Sequence, residues 1–586
     1  MSCLVWGAGH SIHGAEPNVL VILTDDQGWG DLSLHGNTNL NTPNIDRLAS
    51  EGAVFERFYV CPVCSPTRAE FLTGRYHVRG GVYSTSAGGE RVDLDETTIA
   101  DTFRAAEYRT AAYGKWHNGM QFPYHPNARG FDDFYGFCSG HWGNYWNPML
   151  EHNGEIVQGK GFIIDDLTDH AISRIQEPGD QPFFIYLPLN TPHSPMQVPD
   201  RWWSRFREFE LRMHNRDQTK EDPDHIRAAL AMCENIDWNV GRLLEALEST
   251  DRADNTIVVY FCDNGPNGVR WNGDMKGRKG STDEGGVRSP CIMRWPGKIP
   301  AGTVVRENGA AIDLHPTLAA LAGIPTVNPA THPFDGIDLS AAVQGQSLPA
   351  ANERVIMSHW NKRVSARSNG YCLDNDGKLF HLPTDPGQRS PVNSQHPETA
   401  ARLQEAVRQF RKVVMPGFDD DHRPFVIAHP EAKTTQLPAR DAVAHGNIQR
   451  SNRFPNSSYF TNWTSPDDRI TWDAEVLATG DYDVRIFYTC QEADAGADIR
   501  LSFNDEQLNA TVGKAHPSEL VGAAEDRVVR SESYEQNWGI LEAGTIHLNA
   551  GKGLLTLQAT KIPGNKVMDF RLLLLNRRES REFGKP

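Results

Sequence analysis

Four polar clusters each follow a short apolar run that predicts a buried strand. The predicted strands are Val19–Leu23, Thr110–Tyr113, Phe183–Leu189 and Ile257–Phe261. Asp25 and Asp26 follow the first strand, and Lys115 and His117 follow the second. His193 follows the third strand, and Asp263 and Asn264 follow the fourth. Ligands bind open α/β sheets beyond the carboxyl ends of the strands, so we expect the four clusters to converge on one site. A single such residue is typical of a helix cap or a turn, but four clusters together indicate chemistry.

The acidic clusters predict a metal site. Asp25, Asp26, Asp263 and Asn264 offer oxygen ligands only. Two carboxylates 4 Å apart repel by roughly 4 kcal/mol at an effective dielectric constant of about 20, and a bound cation removes that penalty. Oxygen ligands favour Ca²⁺, or Mg²⁺, over Zn²⁺. The alternative is that the first pair caps a helix and the second forms an ordinary turn. The two pairs together favour the metal.

Basic side chains supply the complementary charge. They are Arg68, Lys115, Lys279, His117 and His193. Such a set predicts a pocket for a multiply charged oxyanion beside the metal. The whole chain is acidic, but charges are screened over about 8 Å at physiological salt, so the local cations dominate. For Lys279 the alternative is a solvated loop, because the surrounding residues 276–280 are typical of one.

Cys64 is the candidate nucleophile. With Ser65 as N-cap and Pro66 at the first helical position, Cys64 is expected immediately before a helix N-terminus. The helix dipole, together with Arg68 about one turn later, would stabilise negative charge there. The Cys61-x-x-Cys64 spacing also matches half of a zinc site, although the chain has no second such pair. A redox pair is a further alternative, but it leaves the aspartates and histidines without a role.

The elements that position these residues indicate an α/β fold with a mostly parallel central sheet flanked by helices. Amphipathic segments that predict helices alternate with the strands, and they are Thr42–Gly52, Glu96–Ala106, Leu167–Gln176 and Ile226–Glu248. We assign residues 17–350 to this catalytic α/β domain. Residues 351–415 are predicted to form a small α+β subdomain that completes it, with strands at Tyr371–Leu373 and Lys378–Leu382 and a helix at Ala400–Val413.

The C-terminal part of the chain has a different periodicity. The polar, proline-containing stretch 416–438 is interpreted as a linker. Beyond it, apolar residues alternate with a period of two between Gly, Asn and Asp turns, which is typical of a β-sandwich and defines a domain over 439–586. Its predicted strands are Ile470–Val476, Tyr482–Tyr488, Ile499–Phe503, Gly544–Leu548, Leu554–Ala559 and Val567–Leu575.

Composition excludes several classes of protein. The chain has 586 residues and a net charge of −17, with no Lys/Arg block, so we expect no nucleic-acid partner. No stretch approaches about 18 consecutive apolar residues, so no membrane span is expected. Nine Cys in a chain of this length do not form a disulfide scaffold. Residues 1–16 are interpreted as the remnant of an atypical signal peptide, which favours export; the alternative is a frayed cytoplasmic terminus.

The sequence around Cys64 resembles a known signature. Cys64-Ser65-Pro66-Thr67-Arg68, followed by Leu72-Thr73-Gly74-Arg75, is similar to that of the formylglycine-dependent (type I) sulfatases, arylsulfatase-like members of the alkaline phosphatase superfamily. The resemblance extends from about Pro17 to Met415. Other family blocks occur in the same order, namely Thr24–Asp26, Gly114–His117, Pro192-His193, Asp263–Gly265, and Lys279-Gly280 with Glu284–Gly286. Several spaced motifs in order are far more specific than one match.

The resemblance implies a mechanism. A separate maturation enzyme would oxidise Cys64 to formylglycine, and residue 64 would join the four oxygen-bearing residues around the metal. One hydroxyl of the hydrated aldehyde, aligned by the metal and Arg68, would attack sulfur. His193, with Lys279, would protonate or stabilise the departing alcohol oxygen. His117 would then take the proton from the second hydroxyl and expel sulfate, while Lys115 would hold a sulfate oxygen.

Two regions match none of the family motifs quoted above. The polar, Trp-rich stretch Ser139–Trp146 is interpreted as a sugar-binding wall, with core or surface aromatics as the alternative. The C-terminal domain looks like a galactose-binding-type or other carbohydrate-binding sandwich, or it is a structural appendage.

Three functions remain to be separated. The favoured one is a sulfatase that hydrolyses a sulfate ester on a sulfated carbohydrate or small molecule. The first alternative is a phosphate or phosphonate ester hydrolase on the same fold, although the chain lacks the His-rich ligand set of the alkaline-phosphatase type. The second is a non-catalytic glycan-binding protein, against which the complete set of candidate catalytic residues argues.

Overall fold

A ten-stranded mixed sheet forms the centre of the N-terminal region, the predicted catalytic domain, in the computed structural model, which describes residues 16–327, 332–416 and 423–578. The middle strands are parallel and the outer pairs at both edges include antiparallel neighbours. The strand order is Thr303–Val305, Ala53–Phe55, Cys291–Arg294, Thr256–Cys262, Asn18–Asp25, Phe183–Pro192, Arg109–Lys115, Asp133–Phe137, Met149–His152 and Glu155–Gln158. The four strands predicted from apolar runs are adjacent to one another in this sheet.

The central strand Asn18–Asp25 is buried along its whole length. Its consecutive side chains point to opposite sides of the sheet, and both sides are covered. Leu20 and Ile22 belong to the core on one side, and Val19, Val21 and Leu23 belong to the core on the other. Full burial of each such side chain contributes about 1.5–3 kcal/mol. The strand is therefore held rigidly where its carboxyl end presents Asp25.

Helices cover both faces of the sheet. Three of them pack on the Leu20 side: Pro43–Ser50, Ile163–Gln176 and Pro223–Ser249. Three others pack on the Val21 side: Cys64–Thr73, Ile99–Ala105 and Leu314–Ala322. Short helices complete the region at Asp200–Phe206, Glu284–Val287, Ser340–Val343 and Pro349–Glu353. The predicted α/β fold is confirmed.

A second, smaller unit follows the large sheet. A four-stranded antiparallel sheet is built from Ile356–Trp360, Arg363–Ser368, Tyr371–Leu373 and Leu379–His381. The helix Pro397–Val413 packs on it through Ala400, Leu403 and Phe410. A further three-stranded sheet joins Phe58–Tyr59 to Arg288–Ser289 and Gly309–Ala310.

The C-terminal region is a sandwich of two mostly antiparallel sheets. One contains Phe425–Ile427, Arg469–Val476, Gly551–Lys561, Ala497–Phe503 and Glu506–Val512, with Val443–His445 paired to its second strand. The other contains Gln449–Arg450, Phe460–Thr461, Asp569–Arg577, Gly480–Thr489 and Gly539–Leu548, with Thr434–Pro438 paired to its third strand. Trp463, Trp472 and Phe570 lie in the core between the sheets.

The predicted linker over 416–438 is wrong for its second half. Phe425–Ile427 and Thr434–Pro438 are strands of the sandwich. The side chains of Ile427 and Leu437 are fully buried in its core, so hydrophobic burial outweighs the polar and proline residues between them. Residues 417–422 lie outside the described residues, as do residues 1–15 of the predicted signal remnant.

The catalytic region and the sandwich are joined by buried polar contacts. The Arg440 guanidinium lies 3.2 Å from a carboxylate oxygen of Glu90 and donates to the Ser139 hydroxyl at 3.2 Å. Gln121 donates to the carboxylate of Asp441 at 3.1 Å. Over the part of the chain that the structure describes, no helix combines the length and apolar character needed to cross a membrane.

Candidate active site

The carboxyl ends of four neighbouring strands bring the predicted site residues together. Asp25 and Lys115 are the last residues of their strands, and the Lys115 ammonium donates to Asp25 at 2.6 Å. Asp263 directly follows the strand Thr256–Cys262, and one of its oxygens accepts from the Asp26 backbone N–H at 3.2 Å. His193 follows Phe183–Pro192, with its Nε2 at 3.7 Å from Asp26. The expected convergence is therefore present.

Two site residues have strained backbones. Asp26 and His117 have φ angles of 65° and 64°, in the left-handed region. This conformation costs a residue with a side chain roughly 1–2 kcal/mol. Such strain persists only where surrounding contacts determine it, and it is concentrated at functional sites.

The carboxylates have the character of metal ligands. Asp25 Oδ1, Asp26 Oδ2 and Asn264 Oδ1 are buried and have no hydrogen-bond partner among the described residues. Ligand atoms of Asp25, Cys64 and Asp263 lie within 4.8 Å of one another, and so do those of Asp25, Asp26 and His193. Burial, and then the neighbouring Asp25 charge, raise the pKa of Asp263 to about 7. A divalent cation would supply a partner for the unpaired oxygens and would reduce the repulsion between the carboxylates, so these residues fit a metal.

Cations of the chain surround the carboxylates. Arg68 Nη2 lies 2.8 Å from Asp263, and Lys279 Nζ lies 2.5 Å from Asp26. Burial alone would raise the pKa of Asp25, but Lys115, His193 and Arg68 hold it well below its ordinary value. Burial alone would lower the pKa of Lys279, but Asp26 raises it more, so this lysine remains charged. Lys279 thus belongs to the cluster rather than to a solvated loop.

Cys64 is the first residue of a helix, whereas it was expected immediately before the helix. The helix runs from Cys64 to Thr73 with Val63 as N-cap, so the prediction of Ser65 as cap and Pro66 as first helical residue is wrong by two positions. Pro66 is the third residue of this helix, and it is tolerated there because the residues of the first turn need no backbone N–H partner. Cys64 is 4% exposed.

The thiol of Cys64 is not a stabilised thiolate. Burial raises its pKa above the ordinary value, and this effect outweighs Lys115 and Lys279, which lower it. Cys64 does lie at a helix start near cations, as expected, but burial outweighs their effect on the net pKa of the thiol. Cys61 and Cys64 are both free thiols, and Cys61 groups with Glu70 and His77 instead of with Cys64, which argues against half of a zinc site.

The two predicted catalytic histidines are neutral and buried. His193 Nδ1 donates to the Ser194 carbonyl at 2.7 Å, which leaves Nε2 toward Asp26. His117 Nε2 donates to the Thr85 carbonyl at 2.8 Å, and its Nδ1 has no partner in the described structure. Burial is the largest cause that lowers the pKa of both rings, followed by Lys279 for His193 and Lys115 for His117.

A cavity of about 370 Å³ opens onto these groups. Cys64, His117, His193 and Lys279 line its floor. Gly140 and His141 of the predicted stretch Ser139–Trp146 also line it. The other lining residues were not predicted: Val63, Thr85, Asn267, Trp360, Phe454, Asn456, Ser457, Ser531, Glu532 and Ser533. No motif marks the last six, because their role depends on how the sandwich packs on the catalytic region.

Only part of the predicted wall Ser139–Trp146 lies at the cavity. Gly140 and His141 line the cavity, but Tyr145 is fully buried and its hydroxyl donates to the Ser194 carbonyl at 2.8 Å. The Trp142 ring stacks on Phe137 at 4.9 Å. Tyr145 therefore supports the loop around His193, and Trp142 packs against the strand Asp133–Phe137.

Comparisons with known proteins agree with this site. A family model described as Sulfatase matches residues 17–324. N-acetylgalactosamine-6-sulfatase from Homo sapiens is 29% identical over 481 residues, which cover 70% of this chain and 88% of that protein. The uncharacterized sulfatase YdeN from Escherichia coli (strain K12) is 32% identical over 406 residues, which cover 59% of this chain and 70% of that protein.

Solved structures show the same likeness. The crystal structure of Ps i-CgsB in complex with k-i-k-neocarrahexaose matches with a TM-score of 0.61 at 29% identity, covering 69% of this chain and 99% of that chain. The family model alone spans more than half of the 586 residues. The chain therefore belongs to the sulfatase family, within the alkaline phosphatase superfamily, and is a sulfuric ester hydrolase.

Proposed function

We propose that this sulfatase hydrolyses a sulfate ester on a carbohydrate, with Cys64 in its oxidised form as the nucleophile and a hard divalent cation beside it. The observation that carries the proposal is the shared cavity, which is lined by Cys64, His117, His193 and Lys279 and also by Trp360 and Phe454. Cationic and aromatic side chains that line one cavity suit a sulfated sugar. The names of the human relative and of the neocarrahexaose complex also point to sugar substrates.

Asp25, Asp26, Asp263 and Asn264, together with residue 64, are the proposed metal ligands. The buried oxygens without hydrogen bonds support this assignment. Because all four supply oxygen, Ca²⁺ is the expected ion and Mg²⁺ the second choice. The bound ion would neutralise the carboxylates and polarise the sulfate oxygens.

Cys64 is proposed to be converted to formylglycine by a separate maturation enzyme. A buried thiol with a raised pKa is a poor nucleophile at neutral pH. Oxidation would supply an aldehyde whose hydrate offers a hydroxyl group as nucleophile and a second hydroxyl for release of sulfate.

The remaining residues are proposed to bind the sulfate and to move protons. Arg68 and Lys115 are fully buried and fixed by their carboxylate partners, so they orient sulfate oxygens without reorganisation. Lys279, which stays charged, stabilises the departing alcohol oxygen. His193 would supply the proton from Nε2 in its imidazolium form, because in the neutral ring the single proton is on Nδ1, bonded to the Ser194 carbonyl. The free Nδ1 of His117 accepts the proton from the second hydroxyl of residue 64.

The proposed domain organisation follows the packing. Residues 17–350 and 351–415 form one catalytic unit, since Trp360 of the small sheet lines the cavity. The C-terminal sandwich starts near residue 423 instead of 439, because its first two strands lie within 425–438.

The test uses sulfate and phosphate esters of the same phenol. We expect kcat/KM to be larger for p-nitrophenyl sulfate than for p-nitrophenyl phosphate, in protein that has been coexpressed with a maturation enzyme. A preference for the phosphate ester would favour the phosphohydrolase alternative and contradict the proposal. Absence of turnover of every sulfate ester would favour a non-catalytic glycan-binding protein.

A further inference from the structure

A segment of the C-terminal sandwich reaches the active-site cavity. Ser531, Glu532 and Ser533 line the same cavity as Cys64 and His193. Glu532 and Ser531 also line an adjoining cavity of about 450 Å³. The segment therefore stands between the reaction centre and a second space large enough for another part of a substrate.

Buried contacts to the catalytic region hold this segment in place. Arg530 donates to the Gly143 carbonyl and to the Asp526 carboxylate. Gln197 donates to Asp526 at 2.9 Å, and the Arg527 backbone N–H donates to the Met196 carbonyl at 2.9 Å. The residues that precede Glu532 are thus fixed against the rest of the molecule, which makes its position a built feature of the cavity.

The Glu532 side chain keeps binding capacity toward the cavity. Its Oε1 accepts from the Ser194 hydroxyl at 2.5 Å, whereas its Oε2 has only a long contact of 3.4 Å with the Ser531 hydroxyl. Burial alone would raise the pKa of Glu532, but His141, the Ser194 hydroxyl and His193 lower it to about 2. The carboxylate is therefore ionised, and Oε2 is an available acceptor.

A second polar group faces the same space without a partner. His141 lines the cavity and is 7% exposed, and its Nε2 has no hydrogen-bond partner in the described structure. The ring of Phe454, which is 42% exposed, lies at the same cavity. An acceptor, a free imidazole nitrogen and an aromatic face together match the hydroxyl groups and the apolar face of a sugar ring.

The charge of Glu532 decides which part of a substrate it contacts. A carboxylate repels a sulfate group, which the cationic floor at Lys279 and Arg68 attracts. Glu532 must therefore face the uncharged part of the substrate. It has no free access to the His193 ring nitrogens, because Nδ1 bonds the Ser194 carbonyl and Nε2 faces Asp26.

We propose that Glu532 is a specificity-determining residue, whose carboxylate accepts a hydrogen bond from a hydroxyl group of the sugar ring that carries the scissile sulfate. The inference rests on the proposed function, since it names the substrate contact of the same site. It gives the C-terminal sandwich a part in substrate recognition through the active-site wall, instead of through a separate carbohydrate-binding surface.

The test compares sugar and aryl substrates in the full-length, matured protein. Substrates are p-nitrophenyl sulfate and a panel of monosulfated hexoses and N-acetylhexosamines, from which the sugar with the highest kcat/KM is used. The variants are Glu532→Gln, Glu532→Ala and Glu532→Asp, with Glu519→Gln as control, because Glu519 is an exposed residue of the same region that lines neither cavity. Thermal unfolding verifies that each variant is folded.

We expect Glu532→Gln to lower the ratio of kcat/KM for the sugar sulfate to that for p-nitrophenyl sulfate by at least tenfold, mainly through KM. A site built to bind a hydroxyl group loses this much when a charged partner is removed. Glu532→Ala should lower the ratio at least as much. Glu532→Asp should retain part of the wild-type ratio, and Glu519→Gln should leave the ratio unchanged.

Three results would overturn the inference. An equal loss on both substrates, above all with a shifted pH profile, would show that Glu532 acts through the histidines. An unchanged ratio in both Glu532→Gln and Glu532→Ala would show that it contacts no sugar hydroxyl. If the protein hydrolyses p-nitrophenyl sulfate but none of the sugar sulfates, a carbohydrate substrate is rejected. If it hydrolyses neither kind of ester, the proposed function itself is rejected.

Discussion

Buried charge is the dominant feature at the residue scale. Asp25, Asp26, Asp263, Arg68 and Lys115 are all at most 1% exposed. Removal of one partner from such a buried pair costs about 3–5 kcal/mol, and apolar side chains in the same space are often at least as stable. This arrangement is therefore explained by ligand binding and not by stability.

The first prediction concerns the nucleophile. Cys64→Ala should abolish turnover of p-nitrophenyl sulfate and leave the fold intact, because the side chain is small and its loss leaves little cavity. Steady-state kinetics and circular dichroism measure the two effects. Cys61→Ala is the matched control, since Cys61 is also buried but lies in a different cluster. Substantial residual activity in Cys64→Ala would contradict a covalent mechanism at this residue.

The second prediction concerns the metal. Chelation should lower activity, and Ca²⁺ should restore it better than Zn²⁺ because the ligands are oxygens. Independently of activity, Ca²⁺ at 100 times its Kd should stabilise the folded protein by about 2.7 kcal/mol. Calorimetry measures this stabilisation, which Asp263→Asn should largely lose. Better restoration by Zn²⁺, or an equal calcium effect in Asp263→Asn, would contradict the ligand assignment.

The residue types of the site were predictable from the sequence, but their protonation was not. The order of the motifs after predicted strands was enough to place Asp25, Lys115 and Asp263 together. The raised pKa of Cys64 depends on burial by residues far away in the chain. A local argument from the helix dipole does not include this burial.

At the element scale, the sheet acts as the frame of the site. Four neighbouring strands end at one edge, so rigid, buried segments position side chains from residues 25, 115, 193 and 263. Apolar runs predicted the centre of each strand correctly. The ends were predicted too short, because backbone pairing continues into the polar residues Asp25 and Lys115.

Polar edge strands were harder to predict. Glu506–Val512 forms a strand at the sheet edge and alternates half-buried and exposed residues, with only Val512 buried. Such a strand is stabilised by its backbone pairing with Ala497–Phe503. A search for apolar alternation does not find it.

The third prediction concerns a buried histidine between two helices. His315, on Leu314–Ala322, is fully buried and pairs with the Thr102 hydroxyl of Ile99–Ala105 at 2.9 Å. Burial lowers its pKa to about 3. Its unfolded pKa is about 6.5, so its contribution to stability is present above pH 6.5 and is lost as the pH falls toward 3. At pH 5 the loss is about 2 kcal/mol.

Comparison with His315→Gln isolates this effect, because the contributions of other groups cancel in the difference. Wild type should be more stable than the variant at pH 7, and the gap should narrow by about 2 kcal/mol at pH 5. Thermal unfolding at one scan rate measures the gap. A constant or widening gap between pH 7 and pH 5 would contradict the pKa direction.

At the scale of the whole molecule, the sandwich and the catalytic region share one cavity and one polar interface. Arg440 of the sandwich pairs with Glu90 and also donates to Asn456, which lines the cavity. Sequence patterns predicted both units. They did not predict the interface, because nothing local to residues 90 and 440 indicates that they meet.

The fourth prediction tests this interface. Arg440→Met should destabilise the protein by about 3 kcal/mol or more, because it leaves the buried Glu90 carboxylate unpaired. Scanning calorimetry measures the change in Tm. Arg485→Met is the matched control, since Arg485 pairs with Glu542 on the exposed surface of the same sandwich and should change stability by less than about 1 kcal/mol. Equal effects of the two substitutions would contradict a structural role for the interface.

The most direct test of the whole account is the mass of the peptide that contains Cys64, measured in the same preparation whose turnover of p-nitrophenyl sulfate is known. The account predicts an aldehyde or its hydrate at residue 64, in a fraction that rises in proportion to activity as the maturation enzyme is supplied. A fully active preparation in which residue 64 is an unmodified thiol would contradict it.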